Sequence, residues 1–464
     1  MALIRSISGL RGTLGDGLTP ITVSHYTAAF SEYLGSGPVV VGRDGRPSGE
    51  WIEEIVVGTL RARGIPVWTL GIVPTPTVQF VTQHSNAAGG ISISASHNPA
   101  EWNGLKFLGS DGTFLDSDAC REFFTVADRG PVKPSSDTPV APRHQITGGV
   151  ERHLESVLTL PFINLEGLRQ RAFTVVVDAV NAAGSWVVPA LLEACGCRVV
   201  RLFCDGTGIF PHLPEPLPQN LTALSEAVVA NGADLGIAVD PDADRLVLVD
   251  EKGNPIGEEY TIAAVVDFVL GWERQRDPIS NLSAVINLST TRAVEDVAAR
   301  YGAAVFRTPV GEINVAKKMR EVGAIIGGEG SGGVILPASH YGRDALVGIA
   351  IVLSHLLQRG GTLSQLRESL PSYEIVKKRA ERPANVKAVD VLKRVLRNHA
   401  NGAAWNGQDG LRLEFQQSWV HLRGSNTEPI IRVIAEAATA KEAEQLASKY
   451  LRHTEKIAAE MAAK

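Results

Sequence analysis

Short β-branched apolar runs alternate along the first four-fifths of the chain with stretches whose apolar positions recur at helical spacing. Residues 21–34 and 51–63 read as helices, and PVVVG, IPVWTLG and ISIS read as strands, the second stopped by PTPT. Strand, helix and strand in succession predict a parallel sheet with crossover helices, whose functional groups gather beyond the strand carboxyl ends. That is where Arg11, Arg43 and Ser96 fall. Residues 129–149 turn polar and proline-rich and read as a linker. FTVVVD then restarts the pattern, CRVVRLF follows, and a proline-dense PHLPEPLPQN precedes a helix over residues 221–231. A third round opens with an apolar helix near Tyr260 and continues through strands at SAVINLS, AAVFRT and GAIIGG. From about residue 371 the order changes to a helix over 386–398, strands LRLEF, SWVHLRG and IIRVIAEA, and a closing helix. This predicts three similar mixed α/β domains, at residues 1–150, 151–257 and 258–370, followed by an α+β domain with an antiparallel sheet at 371–464.

Composition narrows the class. A chain of 464 residues is too long for one hydrophobic core, and 44% hydrophobic with 20% charged residues is ordinary soluble-protein usage. A net charge of −5 without a basic run argues against nucleic acid as a partner, while leaving room for local basic clefts that take small anions. The N-terminus shows no charged-then-apolar leader, and no uninterrupted span reaches about 20 apolar residues, so the expectation is a cytoplasmic protein with no membrane partner. Cys195 and Cys197 lie beside Cys204 without an accompanying ligand pattern, and the four cysteines read as buried thiols rather than a zinc site.

Four loops carry the candidate chemistry. In ISISASHNPAEWNGLKF a strand breaks into Ser96-His97-Asn98-Pro99, with Lys106 ten residues beyond the serine. A hydroxyl, an imidazole and an ammonium together suit a phosphoryl-accepting serine with a proton-shuttling neighbour, although Asn-Pro also marks ordinary surface turns. Asp240-Pro-Asp242-Ala-Asp244-Arg245 follows the apolar strand LGIAV, and its alternating carboxylates project to one side, which suits a hard divalent cation or else a solvated acidic turn. An EF-hand loop is excluded, because Arg245 stands where that loop requires glycine and strands rather than helices flank the segment. The third loop, GGEGSGG at residues 327–333, combines mobile backbone with Glu329 and Ser331, which suits sugar hydroxyls or phosphate. The fourth, RGSNTEPIIR at 423–432, offers two arginines, hydroxyls and turn amides for a dianionic phosphate, or else a salt-bridged hairpin.

Taken together these loops resemble the α-D-phosphohexomutase family over essentially the whole chain. ASHNP resembles its phosphoserine loop, DPDADR its magnesium loop, GEGSGG its sugar-recognition loop and RGSNTEP with Arg432 its phosphate-binding loop; SGLRG, GRDGRPSG, PTPT and TPVGE also match. The resemblance implies that phosphorylated Ser96 donates to a hexose monophosphate, that the bisphosphate turns over, and that its other phosphate returns to Ser96. Mg²⁺ would be held by Asp240, Asp242, Asp244 and a phosphoserine oxygen, with a glucose or hexosamine 1,6-bisphosphate as activator. Arg245 and Arg11 would stabilise the transferring charge, Lys106 would serve as general acid and base, and His97 stands beside the serine as a further catalytic candidate. Glu329 and Ser331, with Thr308 and Gly311 of the TPVGE match, would bind the sugar, and Arg423, Ser425, Asn426, Thr427 and Arg432 would clamp the phosphate not being transferred. One clamp serving both ligand orientations implies that four domains share a central cleft.

The chain departs from the family pattern at Gly333, where many members have histidine. His340, in PASHYGRD, is either a substitute imidazole for the cleft or a surface loop residue. Alanine before Ser96 resembles phosphoglucosamine mutases, and GEGSGG with DPDADR resembles an archaeal-type and Bacteroidetes-type subgroup. The expected substrate pair is glucosamine 6-phosphate and glucosamine 1-phosphate, with phosphomannomutase/phosphoglucomutase activity as the close alternative. The intact serine, aspartates and lysine argue against a non-catalytic binder, and the full-length fourth domain argues against a phosphatase.

Overall fold

The structure is a computed structural model describing residues 3–7, 9–131, 139–400, 402–425 and 429–463. Each of the three α/β units ends in the same device. A parallel strand runs out of the sheet into a loop, and the chain returns antiparallel beside it. Gly89–Ile93 returns as Trp102–Gly109, Leu235–Val239 as Leu246–Val249, and Ile326–Glu329 as Gly333–Ile335. The serine, aspartate and glycine loops are therefore hairpin connections anchored at both ends.

The first sheet has seven strands. Val39–Arg43 pairs in parallel with Gly89–Ile93 and Val67–Ile72, while Trp102–Gly109 leads antiparallel to Gly9–Thr13 and Ile4–Ser6 at one edge. The second sheet centres on Thr174–Asp178 between Arg198–Phe203 and Leu235–Val239, and the third on Ser283–Asn287 between Ala304–Thr308 and Ile326–Glu329. Gly89–Ile93, Leu235–Val239 and Ser283–Asn287 are buried along their whole length, which explains their unbroken apolar runs: helices cover both faces of parallel strands. The fourth unit is a five-stranded antiparallel sheet in the order Glu374–Glu381, Ile430–Ala437, Trp419–Gly424, Leu411–Glu414, Ala404–Asn406, backed by helices Ala388–His399 and Ala440–Ala462.

One apolar core runs through the first three units, joining Val78 and Val81 to Val187, Ile237, Ile262, Ile286 and Ile349. The fourth unit keeps a separate core in which Leu413, Val420 and Val433 pack with Val391, Val395 and Tyr450. Polar contacts join the two bodies: Arg292 N–H donates to Glu436, Val310 N–H to Asp409, and the Ser289 hydroxyl meets His421 Nδ1 at 2.9 Å.

The fourth unit opens with the strand Glu374–Glu381 rather than with a helix, and segments of the first unit also differ from the sequence reading. PTPT does not merely stop a strand; its Thr75 and Pro76 open the helix Thr75–Gln83, where a missing proline N–H costs nothing. Within the proline-rich linker, Arg143–Gln145 forms an exposed edge strand parallel to Val67–Ile72. The four thiols are free, and burial raises them to about 11 or 12. Among the described residues no single helix is long and apolar enough to cross a membrane.

Candidate active site

The serine turn is built by its neighbours. Ser96 adopts φ 51°, a left-handed conformation that costs a non-glycine residue about 1–2 kcal/mol, so other contacts must hold it. Its N–H donates to Ser94 Oγ at 2.8 Å, and the guanidinium of Arg46 donates to the carbonyl oxygens of Ser96 (2.7 Å) and Asn98 (2.6 Å). Arg46 is itself buried and ion-paired with Asp44, and its guanidinium lies 4.9 Å from the Phe210 ring centroid in the second unit. Arg11 donates to Asn98 Oδ1 at 3.1 Å and so ties the N-terminal strand to the same turn.

Ser96 Oγ donates to Asp240 Oδ2 at 2.7 Å, across 144 positions of sequence. Asp240, Asp242 and Asp244 are fully buried, and one carboxylate oxygen from each lies within 4.8 Å of the others. Ala243 at φ 49° turns the loop so that its carboxylates converge, and Asp240 Oδ1 accepts from the backbone of Asp244 and Arg245. Thr75, from the PTPT turn, donates to Asp242 Oδ2 at 2.6 Å. Burial first, then the charges of Asp244 and Asp242, push Asp240 well above the usual carboxylate range. Asp242 goes the other way: burial would raise it, but Lys106 at 2.5 Å outweighs that and lowers it. Lys106, which burial alone would lower, is held above its ordinary value by Asp242 and Asp244, so it carries its proton. Burial, then Arg245 and Arg11, depress His97, leaving a neutral imidazole 3.4 Å from Ser96 Oγ.

Above this floor lies a cavity of about 590 Å³. Arg11, His97, Lys106, Arg245, Gly311, Glu329, Ser331, Arg423 and Arg432 line it, so side chains from all four units meet there. Glu329 accepts from Asn287 Nδ2 at 2.8 Å and from the Gly311 N–H at 2.9 Å, and φ 126° at Gly311 requires glycine. Thr308 is buried with its hydroxyl on Pro309 O and does not line the cavity. Ser425 N–H bonds Ile430 O at the end of the hairpin, whereas Asn426 and Thr427 lie outside the described residues.

His340 is a correction. Its ring is 1% exposed and turned away from the cavity, 3.2 Å from Asp344, which also bonds His153 Nε2 at 2.9 Å. The Gly342 N–H donates to His340 Nδ1, so Nε2 carries the ring hydrogen and His340 sits inside a closed His–Asp–His network. The same tautomer leaves no Nε2 lone pair for a metal, although the three side chains are close enough for one.

Arg343, three residues later, was not legible as a site residue and is central to it. It donates to Glu329 (2.7 Å) and Asp244 (2.6 Å) and lies 3.2 Å from Glu312. A Cβ at position 333 would stand 2.3 Å from Arg343 Cδ, so the absent loop side chain is the space this arginine occupies. Gly333 was the available signal. Glu312, raised to about 7 by burial, and Glu259, raised to about 8 by burial, also line the cavity unforeseen.

A shared cavity walled by serine, aspartate, carboxylate and arginine loops is the arrangement that known proteins clarify. The chain matches the phosphoglucomutase/phosphomannomutase family in four consecutive regions: alpha/beta/alpha domains I, II and III at residues 3–128, 151–253 and 261–373, and the C-terminal domain at 375–453. It belongs to that family and is a phosphohexomutase, an isomerase of the intramolecular phosphotransferase kind. It is 35% identical over 96% of each chain to a probable phosphoglucosamine mutase of Methanopyrus kandleri. It is 36% identical to a phosphoglucomutase/phosphomannomutase of Thermococcus kodakarensis, over 94% of this chain and 95% of the relative. The crystal structure of a phosphoglucomutase/phosphomannomutase family protein from Burkholderia thailandensis superposes with a TM-score of 0.83 at 26% identity, covering 98% of each chain.

Proposed function

We propose that Ser96 carries the phosphoryl group and that the enzyme interconverts hexose 6-phosphate and hexose 1-phosphate through a 1,6-bisphosphate, with glucosamine phosphate as the preferred sugar. The observation that carries the mechanism is the 2.7 Å bond from Ser96 Oγ to Asp240, made from a turn held in the left-handed region at the floor of a four-domain cavity. The family implies a divalent cation, and the residues fit one: Asp242 Oδ1 and Asp244 Oδ1 are buried without a hydrogen-bond partner, and an all-oxygen set suits Mg²⁺. When bound, the cation would neutralise charge on the transferring group.

The chain's own residues supply the rest. Neutral His97 can accept the hydroxyl proton, and the Lys106 ammonium can return one to a leaving oxygen. Arg11 and Arg245 reach the cavity beside Ser96 and stabilise phosphoryl charge from the flanks. Glu329, its carboxylate fixed by Arg343, Asn287 and Gly311, accepts from sugar hydroxyls that keep their places when the ligand turns over. Arg423 and Arg432 hold the phosphate at rest, so a bisphosphate can reverse without changing its anchor. Glu215, on the cavity wall, offers a carboxyl group to a 2-ammonium, which favours the amino sugar. The Thermococcus phosphoglucomutase/phosphomannomutase, at 36% identity, favours the second reading, glucose and mannose phosphates.

The deciding experiment compares kcat/KM for glucosamine 1-phosphate, glucose 1-phosphate and mannose 1-phosphate, each with Mg²⁺ and a trace of matching bisphosphate. A preference of about a hundredfold for the amino sugar, roughly 2.7 kcal/mol, supports the first reading, and comparable rates on glucose and mannose phosphates support the second. Ser96→Ala should abolish turnover, and a variant that kept it would refute the phosphoserine mechanism.

A further inference from the structure

The sheet of the fourth unit carries a row that its loop motif does not contain. In the antiparallel register Arg432 stands directly opposite Arg423 on one side and directly opposite Arg379 on the other. Directly opposed residues project from the same face with Cβ atoms about 4.5–5.5 Å apart, and all three of these arginines line the cavity. Three guanidinium groups thus share one rung, where like charges opposite one another destabilise a sheet. Their compensation is unequal. Arg423 Nε lies 3.2 Å from Asp409, and Lys377, on the same face two residues before Arg379, is tied to Glu258 at 2.5 Å. Among the described residues Arg379 has no hydrogen-bond or ion-pair partner for its guanidinium, and it is exposed toward the cavity beside Arg432.

We propose that Arg379 is a phosphate-binding residue, closing on the dianion at Arg432 from the side opposite Arg423. The inference rests on the proposed reading of Arg423 and Arg432 as the clamp. A phosphate over Arg432 then has a planar N–H fork on either flank, and its arrival neutralises the like-charge rung. The row also lets a phosphate move by one strand, about 4.8 Å, while keeping two arginines in contact. That tolerance suits a ligand with unequal ends, since the 6-phosphate stands on an exocyclic carbon and the 1-phosphate on the ring itself.

The test uses full-length Arg379→Ala, Arg379→Lys and Arg432→Ala proteins. KM and kcat for the hexose 1-phosphate are measured together with thermal unfolding, with and without inorganic phosphate. For Arg379→Ala the expected result is a KM raised about tenfold or more with a smaller change in kcat, partly recovered in Arg379→Lys, which keeps the charge without the fork. Without ligand, Arg379→Ala should unfold no earlier than the parent, because a like charge has left the rung, and phosphate should raise its unfolding temperature less. If Arg432→Ala weakens binding while Arg379→Ala keeps the parental KM and phosphate response, the role of Arg379 is overturned and the clamp stands. If neither substitution matters, the clamp reading fails and this inference fails with it. An Arg379→Ala protein that unfolds markedly earlier without ligand would make the residue structural and also overturn the proposal.

Discussion

Replacing Arg46 with methionine should cost turnover and stability by separable amounts. The guanidinium is 1% exposed, pairs with Asp44, and makes the two bonds to the carbonyl oxygens of Ser96 and Asn98. Each such charged bond contributes about 1.5–3 kcal/mol, enough to offset the left-handed backbone at Ser96. Methionine fills similar space but leaves the Asp44 carboxylate buried and unpaired, at a cost of about 3–5 kcal/mol. It also frees the serine turn, and a displacement of about 1 Å in a reacting group slows reaction about a hundredfold. A double variant, Asp44→Asn with Arg46→Met, separates the effects: the amide removes the orphaned charge and restores most of the stability, whereas the two carbonyls still lack their donor. Unfolding midpoints report the first effect, and intact-mass measurement of Ser96 phosphorylation from a 1,6-bisphosphate reports the second. Parental phosphorylation rates in Arg46→Met would refute the bracing argument, and a double variant that regained both properties would show that Arg46 acts only through the fold.

Gly333→Ala should lower kcat/KM by about tenfold or more, because its Cβ would fall 2.3 Å from Arg343 Cδ and displace a side chain fixed to Glu329 and Asp244; steady-state kinetics check it. Chelation should reduce turnover by at least about a hundredfold and added Mg²⁺ should restore it, whereas undiminished turnover in metal-depleted enzyme would contradict the aspartate reading. Burial holds His421 down at about 4, below the ordinary 6.5. The unfolded chain therefore binds this proton first on acidification, so the contribution of His421 is whole above about pH 6.5 and is lost as pH falls toward 4, on the order of 3 kcal/mol. Unfolding midpoints between pH 7 and pH 4 should fall accordingly, and less steeply in a His421→Asn protein.

The alternation of strands and helices and the four chemical loops were legible because each is a local pattern: a β-branched run, or a short string of carboxylates, glycines or arginines. What escaped was convergence. Arg46, though it lies in the GRDGRPSG match, and Arg343 acquire their roles only from the partners brought to them, Ser96 from 50 positions away and Asp244 from 99. His340 misled for the same reason. Its loop neighbour Arg343 reaches the cavity, while Asp344 draws the imidazole inward to His153. The short strand Arg143–Gln145 has no β-branched residue and exists only because the edge of Val67–Ile72 offers it hydrogen bonds.

The separate core of the fourth unit has a consequence for how the molecule comes apart. Opening the joint at Ser289, Arg292 and Val310 exchanges protein hydrogen bonds for bonds to water, whereas parting the first three units would expose the apolar surface they share. Native-state hydrogen exchange should therefore resolve two cooperative blocks, with the amides of residues 374–462 opening as a set at lower free energy than those of the larger body. On the proposed phosphoserine reading, a molecule with only that block melted would retain Ser96 and its aspartates, now open to bulk water, and would be a transferase with no means of holding its intermediate.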